Sequence, residues 1–135
     1  MRLVILLIDT SVWVSVFRDR SGQVRQKLET IIADREILIT RFTQLELLQG
    51  SLNEKEWTLL STYLSTQEYI ELTANCWQEA ARIYYDLRRK GLTVRSPIDC
   101  CIAQAALENN LLLIHNDRDF ETIAQVRSLK HLHFQ

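Results

Sequence analysis

The sequence contains few of the residues that build long irregular segments. Its 135 residues include only three glycines and one proline, and loops depend on these residue types for their tight turns. This scarcity argues against a flexible linker or a low-complexity tract. A chain of this length can bury a hydrophobic core by itself, and we predict one domain over residues 1–135.

Cysteines and long apolar runs are also scarce. The three cysteines are Cys76, Cys100 and Cys101, and an odd number with two adjacent suggests neither a disulfide framework nor a structural zinc site. The opening apolar run, Leu3–Ile8, ends at Asp9 and is too short for a signal-peptide core or a membrane span. These absences predict a cytoplasmic protein without a membrane segment.

Neither sign of charge is in excess. Sixteen basic and 17 acidic residues give a formal net charge of −1, whereas proteins that bind polyanions commonly carry a basic surface. Composition alone therefore does not indicate a nucleic-acid partner, and any such function must come from the local arrangement of side chains.

Short apolar runs alternate with amphipathic helices along the chain. Strands are predicted at Leu3–Ile8, Glu36–Ile39, Tyr69–Leu72, Leu111–Ile114 and near His131–Phe134, because continuous apolar runs are typical of strands buried on both faces. Amphipathic helices lie between them, one of which is predicted over Gln23–Asp34, and strands that alternate with helices pair in parallel. The sequence therefore predicts an α/β fold with three layers, α/β/α, around a central parallel sheet of four to five strands.

Five acidic residues stand where such a sheet opens towards ligands. Asp9 follows the first predicted strand, and Asp117 and Asp119 follow the fourth. Asp99 lies in the first turn of a helix that begins at a Ser-Pro pair, and Glu46 lies within an earlier helix. Ligands of open α/β sheets bind at the carboxyl ends of the strands. These acids are therefore candidates for a common site.

Convergence of these carboxylates would require a positive charge among them. Two carboxylates about 4 Å apart repel each other by roughly 1 kcal/mol in water, and by several-fold more at an effective dielectric constant of about 20. A hard divalent ion such as Mg²⁺ prefers oxygen ligands. It can activate a water molecule and neutralise the charge that develops on a phosphate. An acidic pocket of this kind therefore suits a phosphodiesterase.

Each acid also has a purely structural explanation. Asp9 and Asp117 can cap the helices that follow them, and the macrodipole favours Asp99 in a first helical turn. Glu46 lies within a predicted helix, and most glutamates within helices face solvent. His115, at the end of a predicted strand, is either a substrate contact or a hydrogen-bonded structural residue. Position alone leaves these alternatives open.

The sequence around the acids resembles a known family. The stretches are Ile8–Trp13 (IDTSVW), Gln44–Gly50 (QLELLQG), Pro97–Ala103 (PIDCCIA) and Asn116–Phe120 (NDRDF). Their order and spacing, together with the chain length, resemble PIN-domain proteins, and specifically the VapC-type toxin ribonucleases of bacterial toxin–antitoxin pairs. The resemblance covers nearly the whole sequence.

This resemblance implies a PIN fold and a metal-dependent ribonuclease that uses Mg²⁺ or Mn²⁺. The implied catalytic and metal-binding residues are Asp9, Glu46, Asp99 and Asp117. The implied auxiliary residues are Thr10, Ser11, Asn116 and Asp119. It also implies an RNA substrate, a homodimer and a cognate antitoxin whose tail reaches the site. His115 stands where the family commonly has a threonine.

Two other functions are compatible with an acidic pocket. One is a non-catalytic binding module that holds an ion or an arginine of a partner. The other is an aspartate-dependent phosphotransfer protein, in which Asp9 accepts a phosphoryl group. The second is less favoured because no further aspartate stands two residues after Asp9, as it does in phosphatases of this type.

Overall fold

Five short parallel strands form the centre of the fold. In the computed structural model, which describes residues 4–135, these strands are β1 (Leu6–Ile8), β2 (Ile37–Thr40), β3 (Tyr69–Ile70), β4 (Leu112–His115) and β5 (His131–His133). They form one sheet in the order β3-β2-β1-β4-β5, and every neighbouring pair is parallel. The predicted parallel sheet of four to five strands is confirmed.

Helices occupy the connections between the strands. Within residues 4–135 they are α1 (Thr10–Arg18), α2 (Gln23–Ile32), α3 (Arg41–Gln49), α4 (Glu54–Ser65), α5 (Ala74–Arg89), α6 (Pro97–Glu108) and α7 (Arg118–Ile123). None of these helices combines the length with the apolar character that crossing a membrane requires.

The two faces of the sheet pack against separate layers of helices. Successive strand residues point to opposite faces, and on β1 Leu6 and Ile8 join the hydrophobic cluster that contains Val12 of α1. Leu7, between them, joins the cluster that contains Ile102 of α6. Full burial of an aliphatic side chain contributes about 1.5–3 kcal/mol of transfer free energy. Helices α1–α4 cover one face and α5–α7 the other, which confirms the three-layer prediction.

Polar side chains begin most of these helices. Six residues that precede a helix accept a hydrogen bond from an amide of its first turn: Asp9, Thr40, Asn53, Thr73, Ser96 and Asp117. Such a bond satisfies a donor that has no partner within the helix. At the other end of α5, Gly91 has a φ of 73° and closes the helix in the left-handed conformation that glycine tolerates.

The observed element boundaries differ from the predicted ones by up to three residues, and two of the differences are the largest in a helix and in a strand. The helix predicted over Gln23–Asp34 ends at Ile32, because Ala33 adopts a φ of 49° and interrupts the helical backbone. The first strand begins at Leu6 rather than Leu3, and Leu3 lies outside the described residues.

The central strands β1 and β4 bring distant parts of the chain together. Ile8 pairs with Ile114, and the amide of Asp9 donates to the carbonyl of Ile114 over 3.0 Å. The residues that follow the two strands therefore leave the same edge of the sheet side by side.

Candidate functional site

A cavity of about 350 Å³ opens at this edge of the sheet. Its lining includes the four acids predicted to bind metal and three of the predicted auxiliary residues: Asp9, Glu46, Asp99, Asp117, Thr10, Ser11 and Asn116. The remaining auxiliary residue, Asp119, does not line the cavity and is 8% exposed. The fold thus brings together carboxylates that are up to 108 residues apart in the sequence, from Asp9 to Asp117.

Asp9 is both a helix cap and an acid of the cavity. Its Oδ2 accepts hydrogen bonds from the amide of Ser11 at 3.0 Å and from the Ser11 hydroxyl at 2.6 Å. Burial raises the pKa of Asp9, the bonds from Ser11 lower it, and the charges of Glu46 and Asp117 raise it further, so that the net shift is upward. Asp9 therefore caps α1 and lines the cavity at the same time.

Ser11 connects the ends of the two central strands. While its hydroxyl donates to Asp9, its oxygen accepts the amide hydrogen of Asn116 at 2.8 Å. The Asn116 side chain is held in turn by the Ser15 hydroxyl at 3.2 Å and by Nε2 of His133 at 2.9 Å. One serine thereby fixes Asp9 relative to the loop that carries Asp117.

Glu46 is oriented by a short chain of hydroxyl groups. The Thr10 hydroxyl donates to Oε1 of Glu46 at 2.9 Å. Because that bond uses the single hydroxyl proton of Thr10, the 2.9 Å contact between Thr10 and Thr43 has Thr43 as its donor. Thr43 is 1% exposed, so the chain is anchored in the protein interior. This contact orients a glutamate that position alone would have assigned to solvent.

The pKa of Asp99 is strongly raised in the cavity. Burial is the main cause that raises the pKa of Asp99 to about 8, followed by the negative charges of Asp117 and Asp9. One carboxylate oxygen from each of Asp99, Asp117 and Asp119 lies within 4.8 Å of the other two. At neutral pH without a cation, Asp99 is therefore largely protonated.

Asp117 and Asp119 are held by one arginine. Nη2 of Arg95 lies 2.9 Å from Oδ1 of Asp117, and its Nε lies 3.3 Å from Oδ2 of Asp119. Oδ2 of Asp119 also accepts the backbone amide hydrogen of Arg95 at 3.1 Å. The pKa of Arg95 rises through these two carboxylates. A positive charge already lies against the acidic cluster.

His115 supports the site from the interior. It is fully buried, its Nδ1 accepts the amide hydrogen of Asp117 at 3.2 Å, and its Nε2 lies 2.9 Å from Nδ1 of His131. Burial, followed by the charges of His131 and His133, lowers the pKa of His115 to about 4. His115 does not line the cavity. A buried, neutral imidazole therefore fits a hydrogen-bonded structural residue better than a substrate contact.

The donor set fits a hard divalent cation. All of the acidic side chains offer carboxylate oxygens, which Mg²⁺ and Mn²⁺ prefer over nitrogen or sulfur. The raised pKa of Asp99 and the guanidinium of Arg95 across two carboxylates both indicate a site that needs positive charge.

The chain matches known proteins over almost its whole length. Residues 6–126 match the sequence profile described as the PIN domain. The chain belongs to the PIN-domain family. It is 31% identical over 133 residues to the ribonuclease VapC11 of Mycobacterium tuberculosis, which covers 96% of this chain and 99% of that protein. It is 34% identical over 120 residues to the ribonuclease VapC51 of the same species, with 89% and 85% covered.

Solved structures share the fold of this PIN domain. One match is VapBC2 from Rickettsia felis, whose structure contains a DNA fragment from the VapBC2 promoter. The TM-score is 0.78 at 24% identity, over 97% of this chain and 99% of that chain. DNA-bound VapBC from Salmonella typhimurium matches with a TM-score of 0.77 at 20% identity, over 98% and 100%. These matches confirm the PIN-like α/β/α fold.

Sequence reasoning missed three polar residues of this PIN domain. Arg18 lines the cavity and stands eight residues after Thr10 on α1, so helical spacing could have placed both on one face. Thr43 stands three residues before Glu46, a spacing that also brings side chains together on a helix. Arg95 directly precedes the predicted helix cap Ser96, but nothing in its local sequence indicates its distant carboxylate partners.

Proposed function

We propose that this protein is a metal-dependent endoribonuclease and the toxin of a type II toxin–antitoxin pair. The observation that carries the proposal is the convergence of Asp9, Glu46, Asp99 and Asp117 in one cavity of a PIN domain. Relatives that are about one-third identical over most of the chain are named ribonucleases, which supports RNA as the substrate.

The four carboxylates would hold Mg²⁺ or Mn²⁺. When bound, the ion supplies a water molecule activated as a nucleophile and neutralises charge on the phosphate that is attacked. The chain itself supplies orientation: Ser11 fixes the carboxylate of Asp9, and Thr10 fixes that of Glu46. Carboxylates that are held before substrate arrives need little rearrangement during the reaction.

Asp99 governs the proton balance of the proposed site. Its pKa of about 8 means that its carboxyl group carries a proton at neutral pH while no cation is present. Because oxygen ligands bind cations in their ionised form, occupation of the site requires Asp99 to release this proton. Asp117 keeps its orientation throughout, since its Oδ1 accepts the amide hydrogen of Asp119 at 2.9 Å.

The biological setting is proposed from the relatives. Solved structures with this fold are complexes named VapBC, and one similar complex from Mycobacterium tuberculosis is described as a toxin–antitoxin system. We therefore propose a cognate antitoxin as partner, a homodimer as the assembly, and a cytoplasmic location, where the RNA substrate is found. We also propose that residues 1–135 act as one domain, because one sheet organises both cores.

Cleavage of a structured RNA by the purified protein tests the function. We expect cleavage with Mg²⁺ or Mn²⁺, no cleavage with EDTA, and a loss of at least about 100-fold in Asp9→Asn and Asp99→Asn. Asp34→Asn is the matched control, because Asp34 is an exposed aspartate outside the cavity.

Two outcomes would contradict the proposal in different ways. Cleavage that survives EDTA and both substitutions in the cavity would refute the metal-dependent mechanism. Tight Mn²⁺ binding without cleavage of any RNA would instead favour the non-catalytic binding module.

A further inference from the structure

Arg95 is attached differently to its two carboxylate partners. Its backbone amide and its Nε both bond to Oδ2 of Asp119, whereas only Nη2 reaches Asp117. The Arg95 side chain is 78% exposed, but the carboxylates of Asp117 and Asp119 are only 18% and 12% exposed. The acids are thus fixed in the protein, while the arginine approaches them from solvent.

The attachment to Asp117 depends on the Arg95 side chain alone, whereas the attachment to Asp119 also includes the backbone amide. Ion pairs with an exposed partner are screened by water and contribute little free energy. The bond from the backbone amide to Asp119 does not depend on the side-chain conformation of Arg95. The guanidinium can therefore leave Asp117 without detaching the loop before α6 from Asp119.

Arg95 and a cation would compete for the same carboxylate. Oδ1 of Asp117 already accepts from Nη2 of Arg95 and from the amide of Asp119, each at 2.9 Å. The amide bond caps α7 and is part of the helix start, so the arginine is the ligand that a cation can displace. Arg18, which also lines the cavity, is not one of the cations paired with Asp117 or Asp119.

We propose that Arg95 is the internal counter-ion of the metal site. Its guanidinium neutralises Asp117 in the metal-free protein and leaves this carboxylate when a divalent cation binds, while its backbone amide stays on Asp119. This inference rests on the metal site proposed above. It makes Arg95 a built-in competitor that weakens cation binding and keeps the empty acidic cluster from carrying uncompensated charge.

Titration of the full chain with Mn²⁺ tests the competition between Arg95 and the cation. Electron paramagnetic resonance measures the concentration of the free ion at each step. Removal of the competitor in Arg95→Gln is expected to tighten Mn²⁺ binding by about 1.5- to five-fold, the range of one exposed charge pair. Arg95→Lys should fall between this variant and the wild type, because lysine keeps the charge but lacks the planar fork of donors that a guanidinium offers to two carboxylates. Arg18→Gln is the matched control, because it removes a cation from the same cavity without breaking this pair.

A second measurement follows the guanidinium itself. In ¹⁵N spectra of arginine side chains, the signal that is absent from Arg95→Gln identifies Nε of Arg95. This signal should shift when the wild-type protein is saturated with Mg²⁺. An Arg95→Gln affinity that is equal to or weaker than that of the wild type would overturn the inference alone. So would an equal gain in Arg18→Gln, which would indicate a general effect of charge. A wild type that binds no Mn²⁺ would overturn the metal site and the inference together.

Discussion

Cation binding by this PIN domain should depend steeply on pH because of Asp99. With a pKa of about 8, the ionised fraction of this carboxyl group falls from about one half at pH 8 to about 1% at pH 6. Cation binding selects the ionised form. The apparent Mg²⁺ or Mn²⁺ affinity should therefore weaken by about 50-fold between pH 8 and pH 6, with about one proton released per ion bound near neutral pH.

Isothermal titration calorimetry measures both quantities. Titration in two buffers with different ionisation enthalpies gives the number of protons released, and a series from pH 6 to pH 8.5 gives the slope of the affinity. His115 does not contribute in this range, because its pKa is lowered to about 4. An affinity that stays constant from pH 6 to pH 8, or binding without proton release, would refute the assignment of the raised pKa to a metal ligand.

The raised pKa of Asp99 should also affect the stability of the metal-free protein, which provides an independent test. A carboxyl group whose pKa is raised in the folded state favours folding below its unfolded pKa, and this stabilisation is lost as pH rises through the folded value. In EDTA, the free energy of unfolding should therefore decrease between about pH 4 and pH 8. Asp99→Asn should flatten this decrease and be more stable than the wild type at pH 8. If both proteins show the same profile, another group is responsible.

Two further substitutions test how the cavity is organised. Ser11→Ala removes the bridge between Asp9 and the Asn116 amide, so RNA cleavage should fall by at least about ten-fold in single-turnover assays. Ser15→Ala removes bonds to the Asn116 side chain and to the Ser11 carbonyl but keeps the bridge itself; it should lose less, and equal losses would contradict the bridging role. Thr43→Val breaks the buried hydroxyl chain to Glu46; chemical denaturation should show a loss of about 1–2 kcal/mol, and calorimetry should show weaker Mn²⁺ binding. Thr43→Ser should restore that binding, and a valine variant with unchanged affinity would contradict the chain.

Local sequence patterns were sufficient to predict the fold. The apolar runs before Asp9 and before Asn116 became the paired strands β1 and β4, because a strand buried on both faces needs apolar residues at every position. The errors were confined to element ends. The helix that was predicted to reach Asp34 stops at Ile32, since the positive φ of Ala33 depends on the chain path and not on helix propensity.

The contacts that complete the site could not be predicted in the same way. Asp9, Asp99 and Asp117 could be assigned to strand ends and helix starts from their neighbours in the sequence. The pairing of Arg95 with Asp117, however, joins positions 22 residues apart, and the bond from Ser11 to the Asn116 amide joins positions 105 residues apart. Such contacts depend on how β1, β4 and the start of α6 are arranged in space, which no local pattern specifies.

Helix N-termini explain how a nearly neutral protein can hold these acids together. Asp9 caps α1, Asp117 caps α7, and Asp99 lies in the first turn of α6. A helix N-terminus carries roughly half a positive charge, so three macrodipoles oppose the repulsion among the three aspartates. The capping bonds from Ser11 and Asp119 also fix the carboxylates of Asp9 and Asp117. Capping and metal binding, which the sequence presents as competing explanations, are therefore compatible, because the cap orients each carboxylate that a cation would meet.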